Sequence, residues 1–278
     1  ISVLPSIHSL RSLRDVGEAG RRLDRLIGFG DPAIGSEPPA NCAAFDVAAL
    51  RSAAGAGPVL SDAEPGHVPL ADVAWLAGLP RLPDSVCELQ AIQGAFPGRS
   101  DLVLGARATE TRVKQMDAGG EMESYDVVIF ATHGLTAGDT GAADPGLVMS
   151  PPAAATIADD GLLTAGEIAT MSLDAQLVVL SACNTAAGED HSSDGLSGLA
   201  RAFFQAGARN LMVTHWSVYS EAAVDVTTGL FHALDRDEDL KFAEALQQSV
   251  LSILNDPDRP VLHHHPSYWA AFAMVGAG

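Results

Sequence analysis

Short apolar runs rich in β-branched residues recur along the chain, and each stops abruptly at small or polar residues. The clearest is LVVLSACN, Leu177 to Asn184, which reads as a buried strand with Cys183 at its carboxyl end. YDVVIFATHG, Tyr125 to Gly134, has the same design, with His133 in the matching terminal position. Further strands are expected in LDRLIGFGDP, stopped by Gly30, Asp31 and Pro32, at Leu102 to Gly105, in RNLMVTHW up to His215 and Trp216, and in the closing YWAAFAMVG.

Between these runs the period becomes helical. Asp84 stands at an N-cap position before Val86, Leu89 and Phe96, and Pro97 ends that segment. Thr109 to Met116 is a brief helix, and Thr164 to Glu167 is a capping box that opens a crossover to the Cys183 strand. Leu196, Leu199, Ala200, Phe203 and Phe204 form one apolar stripe that Gly207 terminates. Ser220 caps a helix to about Leu234, and Phe242, Leu246, Val250 and Ile253 mark another. This alternation predicts an α/β fold around a mostly parallel sheet of about six strands, covered on both faces by helices.

Three segments carry no period. Residues 33–70 are rich in Ala, Gly and Pro and are expected to loop around a short helix near Asp46 to Arg51. Thr136 to Asp160 is long and punctuated by Gly and Pro; its GLVMS stretch fits one arm of a hairpin, and the whole is a candidate for cutting or reordering on activation. TAAGEDHSSDG, 185–195, is a second irregular loop.

The two matching strands would present an imidazole and a thiol side by side beyond their carboxyl ends, where open parallel sheets bind ligands. A cysteine is a nucleophile as its thiolate, and a free thiol with pKa ~8.5 is mostly protonated at neutral pH. A histidine within reach takes that proton and returns it to a leaving amine. Gly134, next to His133, leaves room for a substrate and exposes a backbone N–H to a developing oxyanion.

Composition narrows the partners. The net charge is −19, from 35 acidic and 16 basic residues, and the lysines are Lys114 and Lys241 alone. So few cations make a poor surface for phosphate backbones, so no direct nucleic-acid partner is expected. No apolar run is long enough to span a membrane. Cys42, Cys87 and Cys183 form neither an even framework nor a C-x-x-C pair, which predicts a reduced, cytoplasmic setting with Cys87 a small buried hydrophobe on its helix. His263, His264 and His265 lack partners at ligand spacing and read as a solvated loop, so neither metal nor cofactor is expected. The chain opens at Ile1 without an initiator Met or a signal-like segment, as a piece of a longer protein would.

FATHG at 130–134, DGLLTAGEI at 160–168, VVLSACNTAAG at 178–188, GLARAFFQAGAR at 198–209 and HPSYWAAFAMVG at 265–276 resemble the CHAT domain, a caspase-like cysteine peptidase family of clan CD. The resemblance implies a caspase-like three-layer fold, with residues 1–100 the N-terminal part of the module and 101–278 the catalytic half. It implies a cysteine endopeptidase with His133 and Cys183 as a dyad, the Gly134 and Cys183 amides as oxyanion donors, and no third carboxylate. A tryptophan recurs in the family where Trp216 stands, either a core lid or a wall of the substrate pocket; Asp160 and Asn184 are further pocket candidates. Asp139, Asp144, Asp159, Glu189, Asp190 and Asp194 also flank the dyad, and an acidic pocket would favour Arg or Lys in the substrate. Asn184 replaces a glutamate common in the family, and VYSEA at 218–222 replaces an aspartate-rich turn, so substrate preference does not carry over. A bacterial host, a protein substrate and a regulatory protein or helical-repeat domain beyond this chain complete what the family implies. The alternatives are a catalytically silent scaffold of the same fold and, more distantly, a cysteine-dependent acyl transferase or small-molecule hydrolase.

Overall fold

The computed structural model describes residues 2–3, 22–35, 42, 70–135, 144–181, 198–216 and 218–276. Its strands are β1 (Ser2–Val3), β2 (Arg25–Gly30), β3 (Arg99–Leu104), β4 (Val127–Ala131), β5 (Gly134–Leu135), β6 (Gly146–Val148), β7 (Leu162–Thr164), β8 (Leu177–Leu180), β9 (Asn210–Thr214) and β10 (Phe272–Gly276). Its helices are α1 (Val73–Ala77), α2 (Asp84–Ala95), α3 (Glu110–Ala118), α4 (Ala165–Ile168), α5 (Gly198–Gln205), α6 (Ser220–Arg236), α7 (Phe242–Leu254) and α8 (Pro266–Trp269). The expected helix at 46–51, the loop at 185–195, Leu196 and residues 136–143 lie outside the described residues.

Seven strands form the main sheet in the order β1-β10-β9-β8-β4-β2-β3. Pairing is parallel except between β10 and β9. β2, from the first 100 residues, and β3, which runs across residue 100, share this sheet with the later strands, and β2 pairs directly with β4.

The apolar runs are continuous because both faces are covered. Ile27, Phe29, Val128, Phe130, Val178, Leu180, Leu211 and Val213 turn to one face, against Val113 and Met116 of α3, Ile168 of α4 and Phe203 of α5. Leu26, Val127, Ile129, Leu177, Val179 and Met212 turn to the other, against Leu89 and Ile92 of α2, Leu230 and Phe231 of α6 and Ile253 of α7. Successive residues alternate between layers, so every position of a central strand is buried. Each such side chain contributes about 1.5–3 kcal/mol. Across the β2–β4 register Phe29 stacks on Phe130 at 5.1 Å, and Phe130 meets Phe203 at 5.6 Å.

Helix starts follow the side chains available. Thr109 caps α3 by accepting from the N–H of Arg112 at 3.0 Å, and the Thr164–Glu167 capping box is complete. Asp84 is the first residue of α2 rather than its cap, because Pro83 fills the cap position with φ −60°. Ser220 likewise opens α6 after Tyr219, its hydroxyl donating instead to Asp84 at 3.1 Å.

A small antiparallel sheet, β5-β6-β7, stands beyond the main one over a satellite core of Ile34, Leu76, Val148 and Leu162. GLVMS thus does supply one arm of a hairpin-like pairing, and the segment 136–160 is not irregular throughout.

Two further expectations are corrected. Cys42 and Cys87 form a disulfide, with Cα atoms 5.2 Å apart across a sequence separation of 45. Cys87 is buried on α2 as expected, but linear spacing does not reveal that the chain returns to it. The reduced setting inferred from three unpaired cysteines therefore loses its basis. The histidine run is not a solvated loop either: residues 261–264 form a 3-10 turn in which His263 is 3% exposed, its ring stacked on Tyr268 at 4.1 Å. No helix among the described residues is long and apolar enough to cross a membrane.

Candidate active site

The parallel register brings the carboxyl ends of β2, β4 and β8 level. Gly30 is opposite Ala131, Phe130 is opposite Leu180, and the N–H of Ser181 continues the ladder onto Phe130 at 2.9 Å. His133 and Cys183 each follow a member of the Phe130–Leu180 pair by three residues. Cys183 and Asn184 themselves lie outside the described residues.

His133 stands where β4 of the main sheet gives way to β5 of the small one. The ring Nε2 lies 2.7 Å from the carbonyl oxygen of Pro80. A carbonyl only accepts, so Nε2 carries the proton and Nδ1 of the neutral ring is left with a lone pair. Burial holds the imidazole below its ordinary pKa of 6.5, partly countered by the Pro80 bond. The ring is therefore held as a neutral base.

Gly134 follows in β5. The N–H of Val148 donates to the carbonyl of His133 at 2.9 Å, which makes 133 and 148 a bonded pair of the antiparallel ladder. Gly134 and Leu147 are the next pair, and in such ladders bonded and non-bonded pairs alternate. The N–H of Gly134 consequently turns away from β6, toward the open edge of the small sheet. Thr132 fixes the preceding turn with its hydroxyl on the carbonyl of Val148 at 2.5 Å.

Trp216 lies just past β9, the parallel neighbour of β8, and is 41% exposed. A residue buried as a core lid would expose less. Asp160 is otherwise engaged. One carboxylate oxygen accepts from the N–H of Ala71 at 2.8 Å and the other from Leu162 at 3.0 Å, so the side chain fastens backbone. Its own N–H donates to Glu110 at 2.8 Å.

Two acidic groups escaped notice in the sequence. Asp31, at the end of β2, is 4% exposed and adopts φ 50°. Arg81 clamps it through two bonds of 2.7 Å, and its N–H donates to the Ser85 hydroxyl at 2.8 Å. Pro80, which holds His133, is the residue before Arg81, so this ion pair anchors the histidine's partner. The signal was present: in the sequence Asp31 closes an apolar run just as His133 and Cys183 do.

Glu88 on α2 is 4% exposed, and one of its oxygens, Oε1, is buried with no hydrogen-bond partner. Burial pushes its carboxyl from 4.5 up to about 7, and a hydrogen bond from Ser181 opposes the rise. Ser181 is two residues ahead of Cys183. A glutamate beside Leu89 and one turn before Ile92, on the face that packs on the sheet, was the legible sign.

Comparison with known proteins adds a family and two curated relatives. The family model for the CHAT domain matches residues 1–277. Tetratricopeptide repeat protein 28 of Mus musculus is 32% identical over 116 residues, which is 42% of this chain and 4% of that protein. Its Homo sapiens counterpart is 29% identical over 116 residues, with the same two shares, 42% and 4%. The chain therefore spans a small part of the length of the curated relatives it matches. Among solved structures, the crystal structure of the Arg-specific cysteine proteinase gingipain R aligns with a TM-score of 0.49 at 8% identity, over 97% of this chain and 51% of that one.

Proposed function

The chain belongs to the CHAT domain family, and from that premise we propose that it is a caspase-like cysteine endopeptidase acting on a protein substrate. Nδ1 of His133 takes the proton of Cys183, and the thiolate sulfur attacks the carbonyl carbon of the scissile peptide bond. The oxygen becomes an anion, received by the backbone N–H groups of Gly134 and Cys183. On collapse the C–N bond breaks, and the proton on His133 goes to the departing amine. Water then attacks the thioester, giving its proton to His133 and releasing the acid and the thiol.

The observation that carries this reading is the 2.7 Å contact between His133 Nε2 and the Pro80 carbonyl. The Nε2 proton is spent on Pro80, so the nitrogen left as acceptor is the one a thiol needs. A neutral imidazole with Nδ1 as acceptor is the form in which a histidine takes a proton from a thiol. Trp216 supplies a wall of the substrate pocket, and Asn184, next in sequence to the nucleophile, is a further pocket residue; Asp160 acts there through the backbone it holds.

Residues 1–100 and 101–278 are two stretches of one module, since their strands share the sheet. A helical-repeat domain or protein is the proposed regulator, in keeping with the tetratricopeptide repeat in the names of the relatives. No host or compartment enters the reading: the two relatives are mammalian, and the joined Cys42 and Cys87 remove the argument for a reducing one.

The test is cleavage of a diverse peptide library by the wild-type chain and by Cys183→Ala, with products read by mass spectrometry, alone and with a candidate helical-repeat partner. Cleavage by the wild type alone establishes the peptidase and its preferred residue. Absence of cleavage in every wild-type sample leaves the scaffold as the better reading.

A further inference from the structure

A second cluster stands apart from the dyad, where α6 begins. Glu221 and Asp225 are one helical turn apart and so project from the same face. His263 meets them from the 3-10 turn at 261–264. Its Nε2 is 3.3 Å from Glu221 Oε2, and its Nδ1 is 3.9 Å from Asp225 Oδ2. One ligand atom from each of the three lies within 4.8 Å of the others.

The polar bookkeeping of this cluster does not close. Glu221 Oε2 and His263 Nδ1 are both buried without a hydrogen-bond partner. Each such orphan has given up its water without a protein partner in exchange. The surroundings are fixed: Tyr268 stacks on the imidazole and donates its hydroxyl to Asp225 at 2.9 Å, while Arg259 bonds Asp225 and reaches Asp256 at 3.5 Å. Three carboxylates, Glu221, Asp225 and Asp256, stand against one guanidinium, a formal charge of −2.

The geometry points to a binding site for one divalent transition-metal ion, Zn²⁺ or more weakly Mn²⁺, held by Glu221, Asp225 and His263. One ring nitrogen of His263 can bind the ion, and the orphaned Nδ1, 3.9 Å from Asp225 Oδ2, is the one left for it; a cation at about 2.0–2.1 Å from tetrahedral ligands sets them roughly 3.3 Å apart, so a small inward closure of the three ligand atoms completes the site. One imidazole nitrogen with two carboxylate oxygens suits Zn²⁺ and Mn²⁺ better than the all-oxygen preference of Mg²⁺ or Ca²⁺. A charge of +2 neutralises the cluster and gives both orphan atoms a partner. The ion fastens the turn at 261–264, and with it the approach to α8 and β10, onto α6.

The experiment uses the whole chain after chelator treatment, in a Cys183→Ala background so that the free thiol takes no metal. Zn²⁺, Mn²⁺ and Mg²⁺ are titrated by calorimetry, with bound metal counted by mass spectrometry and Tm followed in parallel. The expected result is one Zn²⁺ per chain, weaker Mn²⁺, no Mg²⁺, and a Tm raised by roughly 5 °C at a hundredfold excess over Kd. Glu221→Gln, a substitution at a partly exposed side chain, weakens Zn²⁺ at least about tenfold. His263→Gln does the same, and Glu221→Gln decides the matter if the loss of stacking on Tyr268 unfolds that variant. Zn²⁺ uptake unchanged by Glu221→Gln would put the metal elsewhere, at His264 and His265 for instance, and overturn the proposal. So would no uptake of any of the three ions, with Tm unmoved by them.

Discussion

The Pro80 carbonyl decides which nitrogen of His133 is left to accept a proton, and burial decides when. The lowered pKa keeps the ring neutral from about pH 6.5 upward, so the acid limb of kcat/KM is expected below that value. His133→Ala should cost about 10²–10⁴-fold in kcat/KM, and the alkylation rate of Cys183 should then follow an ordinary thiol, rising toward pH ~8.5. An acid limb above pH 7 in the wild type would contradict a depressed histidine. Glu88 makes the opposite prediction for stability. Its folded pKa is raised to about 7, so the fold binds a proton that the unfolded chain has released. The stabilisation is complete below pH 4.5 and is lost as pH climbs through 7. Its size is on the order of 3 kcal/mol. Glu88→Gln keeps the shape of the neutral acid without the titration, so urea unfolding at pH 5 and pH 8 should show a smaller pH dependence in the variant and a more stable variant at pH 8. Equal slopes would mean that Glu88 is ionised in the fold.

Among the elements, those with a strong local signal were legible before folding. β4 and β8 are unbroken apolar runs, and α4 declares itself through Thr164 and Glu167, because a capping box is a local hydrogen-bond exchange. The direction of β10 was not legible: YWAAFAMVG reads as a strand, but only its pairing with β9 makes it antiparallel. The small sheet was seen only as one possible arm, since β5 and β7 are two and three residues long and owe their existence to β6 between them. The site divides the same way. His133 and its strand were visible, whereas the Pro80 bond joins residues 53 apart and no local pattern records it. Close packing of α2 on β2 is one such tertiary demand. A Cβ on Gly30 would fall 2.6 Å from Leu89 Cδ1 and 3.1 Å from the Ala131 carbonyl. Gly30→Ala must therefore displace the Leu89 side chain or the α2 helix that carries it, and is expected to cost about 1–3 kcal/mol in urea unfolding. Stability within ~0.5 kcal/mol of wild type would show that Leu89 re-packs at no cost.

For the molecule as a whole, two sequence arguments fared differently. Strand and helix alternation specified a covered parallel sheet because each apolar run needs burial on both faces, which one architecture supplies. The cysteine count failed because pairing is a property of the folded path: Cys42 belongs to a Gly- and Pro-rich stretch with no period, and nothing local marks its approach to Cys87 on α2. The bridge closes a loop with a sequence separation of 45. Chain entropy alone assigns such a loop about 4 kcal/mol, and measured losses on removal of native bridges run at roughly 2–5. Cys42→Ser is accordingly expected to lower the unfolding free energy by about 2–4 kcal/mol relative to oxidised wild type, and to match wild type in reductant. The same bridge makes Cys183 the one free thiol of the oxidised chain. Unfolded under non-reducing conditions, the protein should take up a single equivalent of iodoacetamide at Cys183, and after reduction three. Three equivalents without reductant would mean that the bridge does not form in solution, and the stability difference between wild type and Cys42→Ser should then vanish with it.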